Sequence, residues 1–271
     1  MESWVDGQPA DALSLKDRGL AYGDGLFETI AVRKGKPVLL ERHLQRLELG
    51  CQRLALNLDK GVLSAELGAY VQHLGEGVLK LIVTRGDSLR GYAAVPSAPV
   101  RRILQGNPPA AYPAAHAEQG VSLFPCATRL SEQPLLAGLK HLNRLEQVMA
   151  RAEWRDPEHA EGLMLDTSGR VVEGVFSNLF IVRDDVLITA DLSRCGVAGV
   201  MRAELLFQAE SQGIATQVTD ISLEQLRQAD EVFVCNSVYG VWPVRACGSM
   251  RWSAGPLTRK LQTLARALLD V

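Results

Sequence analysis

Apolar residues follow two different rhythms along this chain. Leu26 to Val32 and Pro37 to Leu40 read as extended segments joined by the glycine turn Lys34-Gly35-Lys36, the signature of a hairpin. From Glu41 to about Leu56 the period changes, and Leu44, Leu47, Cys51 and Leu54 form the stripe of an amphipathic helix. Val78 to Thr84 has the composition of a buried strand, and Arg101 to Gln105 reads as another. Residues 108–118, rich in Pro and Ala and without period, are the expected interdomain linker. Beyond it, Val121 to Leu130 is extended. A helix entered at Lys140 follows, with Leu145, Val148, Met149 and Ala152 at helical spacing to about Trp154. Leu163 to Asp166 and Val171 to Glu173 read as strands around the turn Thr167 to Arg170, and Asn178 to Arg183 and Val186 to Ala190 as a hairpin around Asp184-Asp185. A helix of about a dozen residues follows Gly199, carrying Ala203, Leu206 and Phe207, with Gly213 as its stop. Glu231 to Val234 is a strand, and Leu257, Leu261, Leu264 and Leu268 mark a final packing helix. The alternation predicts two α/β lobes, an N-terminal one over 1–107 and a larger C-terminal one over 119–271.

Composition narrows the function classes. Of 271 residues 47% are hydrophobic and 22% charged, enough to build a sizeable core. A formal net charge of -2 leaves no uncompensated basic stripe, which argues against nucleic acid. The start, Met1 to Gly7, has no basic region followed by an apolar one, and no apolar run reaches membrane-spanning length. Five widely spaced cysteines without a Cys-x-x-Cys pair suit reduced thiols in the cytoplasm. The five histidines show no ligand spacing, so no metal site is expected.

Candidate chemistry sits at a few places where polar residues interrupt apolar sequence. Lys140 follows Pro134-Leu135-Leu136-Ala137-Gly138-Leu139. Loss of hydration there disfavours the ammonium and frees an amine for Schiff-base chemistry, for which pyridoxal phosphate is the commonest partner; a lysine snorkelling at a helix start is the plainer reading. Glu173 lies within Val171-Val172-Glu173-Gly174-Val175-Phe176, where a carboxylate is either paired and functional or turned out from an edge strand. Gly196 and Gly199 precede a helix start whose free N–H groups suit a phosphate, and Asn236-Ser237 form a second polar turn after a strand. Arg42, Arg46 and Arg53 lie off their helix's buried stripe; Arg42 and Arg53 read as a solvated face, while Arg46 could reach an anionic ligand if its helix flanks a cleft. Arg85, Arg90 and Tyr92 occupy a glycine-hinged loop suited either to carboxylates or to an ordinary surface turn.

These pieces, with Tyr22-Gly23-Asp24-Gly25-Leu26-Phe27, His43 to Leu47, Thr84-Arg85-Gly86 and Ala229 to Ser237, resemble the fold-type IV pyridoxal-phosphate enzymes. That group includes the branched-chain and D-amino-acid aminotransferases and the aminodeoxychorismate lyases. The resemblance covers nearly the whole chain, and Gly-Leu-Lys-His-Leu-Asn-Arg-Leu-Glu-Gln at 138–147 is closest to the lyase form. It implies an α+β, D-amino-acid aminotransferase-like fold of two lobes with pyridoxal 5'-phosphate between them, and a homodimer. It further implies that Lys140 holds the cofactor covalently, that Arg46 binds its phosphate and that Glu173 faces its pyridine nitrogen. Asn178 then supports that strand. Gly199, Val200 and Met201 give backbone N–H groups to the phosphate, with Asn236 and Ser237 as the second phosphate turn. Arg85, Arg90 and Tyr92 become candidates for the substrate carboxylates, and Thr29 for assisting proton transfer. The implied reaction releases pyruvate from 4-amino-4-deoxychorismate to give 4-aminobenzoate, a folate precursor. Amino transfer to a D- or branched-chain amino acid is the alternative. Val200-Met201 departs from the Ile-Thr usual in the aminotransferases and offers no hydroxyl.

Overall fold

The computed structural model describes residues 2–88, 91–93 and 98–270. Contacts divide the chain into two units: Met1–Ala110 with Leu139–Asn143 and Asp270–Val271, and Ala111–Gly138 with Arg144–Leu269. The division therefore does not follow one cut at the expected linker. The five residues around Lys140 belong with the N-terminal unit, and part of the expected linker is a short helix, Ala114–Glu118.

The first unit is built on a six-stranded antiparallel sheet in the order Gln8–Pro9, Ser3–Val5, Arg101–Asn107, Gly77–Thr84, Gly25–Arg33, Lys36–Pro37. The expected hairpin is present: Val32 pairs with Pro37 and Arg33 with Lys36, and Lys34 and Gly35 make the link with φ of 49° and 73°. Positive φ at both link residues matches the right-handed twist of the strands. Two helices cover the sheet. Leu40–Arg53 buries His43, Leu47, Gly50 and Cys51, while Leu44 and Leu54 flank that face. Lys60–Leu74 starts at Asp59, whose side chain accepts from the Val62 N–H, and buries Leu63, Leu67, Tyr70 and Val71. These meet Leu79, Leu81 and Leu104 of the sheet in one core.

The second unit carries a nine-stranded mixed sheet. Its main path runs Thr216–Thr219, Val186–Ala190, Asn178–Arg183, Glu231–Asn236, Gly240–Cys247, Val121–Leu130, His159–Asp166, Val171–Gly174. The last of these strands turns back to pair with Asn178–Arg183 through the residue pair Glu173–Asn178. That pair closes strands 178–183, 231–236, 240–247, 121–130, 159–166 and 171–174 into a ring. Leu123, Met164, Leu179, Val232, Val234, Trp242 and Val244 fill the core. Glu231 caps the C-terminal helix Pro256–Leu269, accepting from the N–H groups of Leu257 (3.2 Å) and Thr258 (2.7 Å).

Three expected helices need correction. The helix after the lysine begins at Leu145, not Lys140, because the Lys140 backbone is used in strand-like pairing. Its Leu145, Val148 and Met149 are 75%, 61% and 60% exposed, while Ala150 faces inward. Helical period revealed an apolar stripe there but not what covers it. In Val200–Ser211 the buried positions are Val200, Met201, Glu204, Leu205 and Ala209, and Phe207 is exposed. In the C-terminal helix the buried line is Thr258, Leu261, Ala265 and Leu269, with Leu257, Leu264 and Leu268 half-buried beside it. All five cysteines are free and buried.

Candidate cofactor site

In the first unit, Leu139 is buried in the core and the residues after it run antiparallel to the start of strand Gly25–Arg33. The Phe27 N–H donates to the Lys140 carbonyl (2.9 Å) and the Leu142 N–H to the Gly25 carbonyl (3.0 Å). Lys140 is thus held on an extended segment with its backbone fixed. Its Nζ lies 4.3 Å from the centroid of the Phe27 ring. Side chains alternate across a strand, so Phe27 and Thr29, both half-buried, share one face while Leu26, Glu28 and Ile30 are buried on the other.

Glu28 is the centre of a charged cluster that the sequence reading left out. His43 Nδ1 lies 2.6 Å from Glu28 Oε2, Arg46 Nε donates to Oε1 (2.8 Å), and Arg46 Nη2 contacts Oε2. His43 and Arg46 stand three residues apart on helix Leu40–Arg53, so one turn of helix presents both to the strand. Burial raises the Glu28 carboxyl, but the Arg46 charge and the hydrogen bonds from His43 and Arg46 outweigh it and bring it from 4.5 to about 2. Burial drives His43 below its ordinary value against the pull of Glu28. A neutral imidazole donating through Nδ1 fits both directions, and Nε2 then finds no hydrogen-bond partner among the described residues. Arg46 is not on a solvated face: its guanidinium is mostly buried and aligned edge-on to a carboxylate.

In the second unit the ring-closing pair is also a polar cluster. Glu173 is 4% exposed, and its Oε2 accepts from the Val197 N–H (2.9 Å) and Asn178 Nδ2 (3.3 Å). Asn178 Nδ2 also donates to the Val197 carbonyl (2.8 Å). Glu173 therefore points inward, not out from an edge strand. Gly199 begins the helix Val200–Ser211, and no side chain caps that start although Val200 and Met201 are buried. A buried, uncapped helix start has N–H groups and a positive dipole end that suit an anion. A Cβ at Gly199 would lie 1.9 Å from Asn178 Oδ1, so this turn has room only for glycine. Asn236 ties the neighbouring turn: its Oδ1 accepts from the N–H groups of Val238 (2.9 Å) and Tyr239 (3.0 Å), and its Nδ2 donates to the Phe176 carbonyl (3.3 Å). Ser237 follows, half-buried. Burial lowers the Arg144 guanidinium, a residue of the lysine motif that the sequence reading passed over, while the Glu173 charge opposes that shift.

The loop residues are placed differently from one another. Arg85 is committed within its own unit: Nε donates to Asp24 Oδ2 (2.9 Å), Nη1 to the Ala55 carbonyl (2.9 Å) and Nη2 to the Leu54 carbonyl (2.6 Å). A guanidinium at the end of helix Leu40–Arg53 meets carbonyls left without intrahelical partners, so Arg85 is a helix cap in place of the expected substrate ligand. Tyr92 has an exposed side chain, and its carbonyl accepts from Arg18 Nη2 (2.9 Å). Arg90 lies outside the described residues. No cluster of His, Cys, Asp and Glu among the described residues has the makings of a metal site.

Comparison with known proteins places this arrangement in a family. Residues 25–247 match amino-transferase class IV, and the chain belongs to that family. It is 40% identical over 268 residues to an aminodeoxychorismate lyase of Vibrio harveyi, covering 96% of this chain and 97% of that protein. The crystal structure of a 4-amino-4-deoxychorismate lyase from Pseudomonas aeruginosa superposes with a TM-score of 0.98 at 64% identity, over 99% of this chain and 100% of that one. A D-alanine aminotransferase of Bacillus licheniformis is 27% identical over 265 residues, 93% of this chain and 90% of that protein.

Two predictions test the geometry. If the helix-start N–H groups and not the side chain at 201 bind the anion, Gly199→Val is expected to lose pyridoxal 5'-phosphate on dialysis while Met201→Thr retains it. Back-titration with the cofactor measures both. The second concerns Glu28, whose folded pKa lies below its unfolded value, so its contribution to stability is present above pH 4.5 and lost as pH falls through about 2. The difference in unfolding free energy between wild type and Glu28→Gln is expected to be constant above that window and to shrink within it, measured by urea unfolding at stepped pH.

Proposed function

We propose that this protein is a pyridoxal-phosphate-dependent lyase that releases pyruvate from 4-amino-4-deoxychorismate and yields 4-aminobenzoate for folate synthesis. The observation that carries the reading is the close likeness over the whole chain to lyases of that name, against a much weaker one to the aminotransferases. The lysine segment Gly138–Gln147, in its lyase form, agrees.

Pyridoxal 5'-phosphate is the cofactor, and the chain's donors and acceptors fit it. Its phosphate is dianionic and matches the buried, uncapped helix start at Gly199–Met201, with Asn236-Ser237 as the second phosphate turn. Arg46, its guanidinium aligned by Glu28, is a further phosphate ligand. Glu173, inward and anchored by Val197 and Asn178, suits a protonated pyridine nitrogen. Lys140 supplies the amine that holds the aldehyde. When bound, the cofactor acts as an electron sink for charge developing on the carbon next to the substrate nitrogen.

The chain's own residues then have defined work. Lys140 Nζ, as a free amine, takes the proton from the ring carbon bearing the amino group. The C–O bond to the enolpyruvyl group breaks, the six-membered ring becomes aromatic, and the departing enolate takes up at its terminal carbon a proton that balances the one removed, to become pyruvate. Water is not consumed, and no second substrate is needed. Thr29, on the same strand face as Phe27, assists proton transfer to the departing group. Arg90 and Tyr92 recognise the substrate carboxylates. The protein works as a cytoplasmic homodimer, and the exposed helix face Leu145, Val148 and Met149 is the kind of apolar surface that a second copy covers.

Supplied with 4-amino-4-deoxychorismate and pyridoxal phosphate, the protein is expected to release 4-aminobenzoate and pyruvate in equal amounts without added keto acid. Amino transfer to a keto acid with no release of pyruvate would favour the aminotransferase reading. Lys140→Ala is expected to lose both the reaction and the borohydride-reducible adduct. A retained adduct would assign the covalent role to another lysine.

A further inference from the structure

Glu161 lies on strand His159–Asp166, fully buried, and none of the roles above uses it. Its carboxylate accepts four hydrogen bonds. Oε1 takes the N–H groups of Gly162 (2.8 Å) and Val175 (2.9 Å), and Oε2 takes the Phe176 N–H (3.3 Å) and Ser177 Oγ (2.7 Å). Val175, Phe176 and Ser177 all belong to the short link that joins Glu173 to Asn178, the two residues that close the strand ring. The link is narrow, since the Gly174 N–H donates to the Ser177 carbonyl (2.7 Å). A Cβ at Gly174 would meet Ser177 Oγ at 2.2 Å and Glu161 Cδ at 2.9 Å. From its other side the Phe176 carbonyl is held by Asn236.

A carboxylate in such a place is costly unless donors converge on it, and here most of the donors come from one link. The link therefore has little freedom to relax while the carboxylate stays satisfied. Burial pushes the Glu161 carboxyl up to about 7, against the four donors, so the balance that holds the link is a close one. Glu173 and Asn178 stand at the two ends of the link, and Asn236 touches its middle. The same link thus spans both the carboxylate assigned to the pyridine nitrogen and the second anion turn.

We propose that Glu161 is a positioning residue that, through the link 174–177, holds Glu173 and Asn178 in register for the cofactor's pyridine ring. This rests on the lyase reading above. Glu161 is fully buried, and three of its four hydrogen bonds run to the link, through which it acts.

The test compares Glu161→Gln and Ser177→Ala with wild type as holoenzymes, reading cofactor affinity, the visible absorbance of the bound cofactor, and kcat and KM. A carboxamide turns an N–H group toward two of the donors, so the link must move. Glu161→Gln is expected to lower cofactor affinity and kcat by about tenfold to a hundredfold, with KM changed by no more than about twofold, and to shift the bound-cofactor absorbance. Ser177→Ala removes one donor and is expected to move the same readouts less, in the same sense. A folded Glu161→Gln protein with wild-type affinity, absorbance and kcat would overturn the proposal and leave Glu161 a purely structural group. If Glu161→Gln does not fold, Ser177→Ala decides: unchanged affinity, absorbance and kcat overturn the proposal. Failure of the wild type to release 4-aminobenzoate would count against the lyase reading alone, since affinity and absorbance still judge Glu161.

Discussion

A carboxylate buried in a protein must be met by donors, and the site regions of this chain are arranged around that demand. Glu173 sits where two strands close a ring, and the Val197 N–H and the Asn178 amide converge on it. Both partners are themselves fixed. Val197 lies just before the turn of Gly199, and Asn178 opens a central strand. Because Gly199 has no room for a side chain beside Asn178, the position of the carboxylate and the path of the helix start are one constraint.

The first unit solves a similar problem with different partners. Glu28 is satisfied by charge, from Arg46, and by a neutral imidazole, from His43, and its proton is lost far below neutral pH. What this achieves is a guanidinium of fixed orientation, which a long flexible side chain on an exposed helix face would not have. Lys140 is placed by its backbone. Its backbone is pinned between Leu139 in the core and the pairing with Phe27, and its amine rests near an aromatic ring.

How far the sequence revealed this depended on how local each signal was. Glu173 in its apolar run and Gly199 before a helix each carry a signal within a few neighbours, and an inward carboxylate and a helix start are found at those places. Glu28 and His43 are fifteen positions apart and meet only when helix packs on strand. The period of two through Leu26, Glu28 and Ile30 nevertheless marks Glu28 as inward, a signal available but unread. The helix Lys60–Leu74, with Asp59 as cap and Leu63, Leu67, Tyr70 and Val71 inward, was equally readable. Arg85 was not: its partners Asp24, Leu54 and Ala55 are 61, 31 and 30 residues away, and nothing beside it in the chain reports a helix end. The closed strand ring, and Glu161 bound to a link up to sixteen residues on, were invisible for the same reason.

The claim on which the account turns is that Glu173, inward and held by Val197 and Asn178, keeps the cofactor's pyridine nitrogen protonated. Nitrogen NMR of the protein loaded with pyridoxal phosphate labelled with nitrogen-15 in the ring reads that proton directly. The account predicts a pyridinium chemical shift that persists at alkaline pH in wild type and reverts to that of the neutral ring in Glu173→Gln. A neutral-ring shift in the wild-type protein would contradict it.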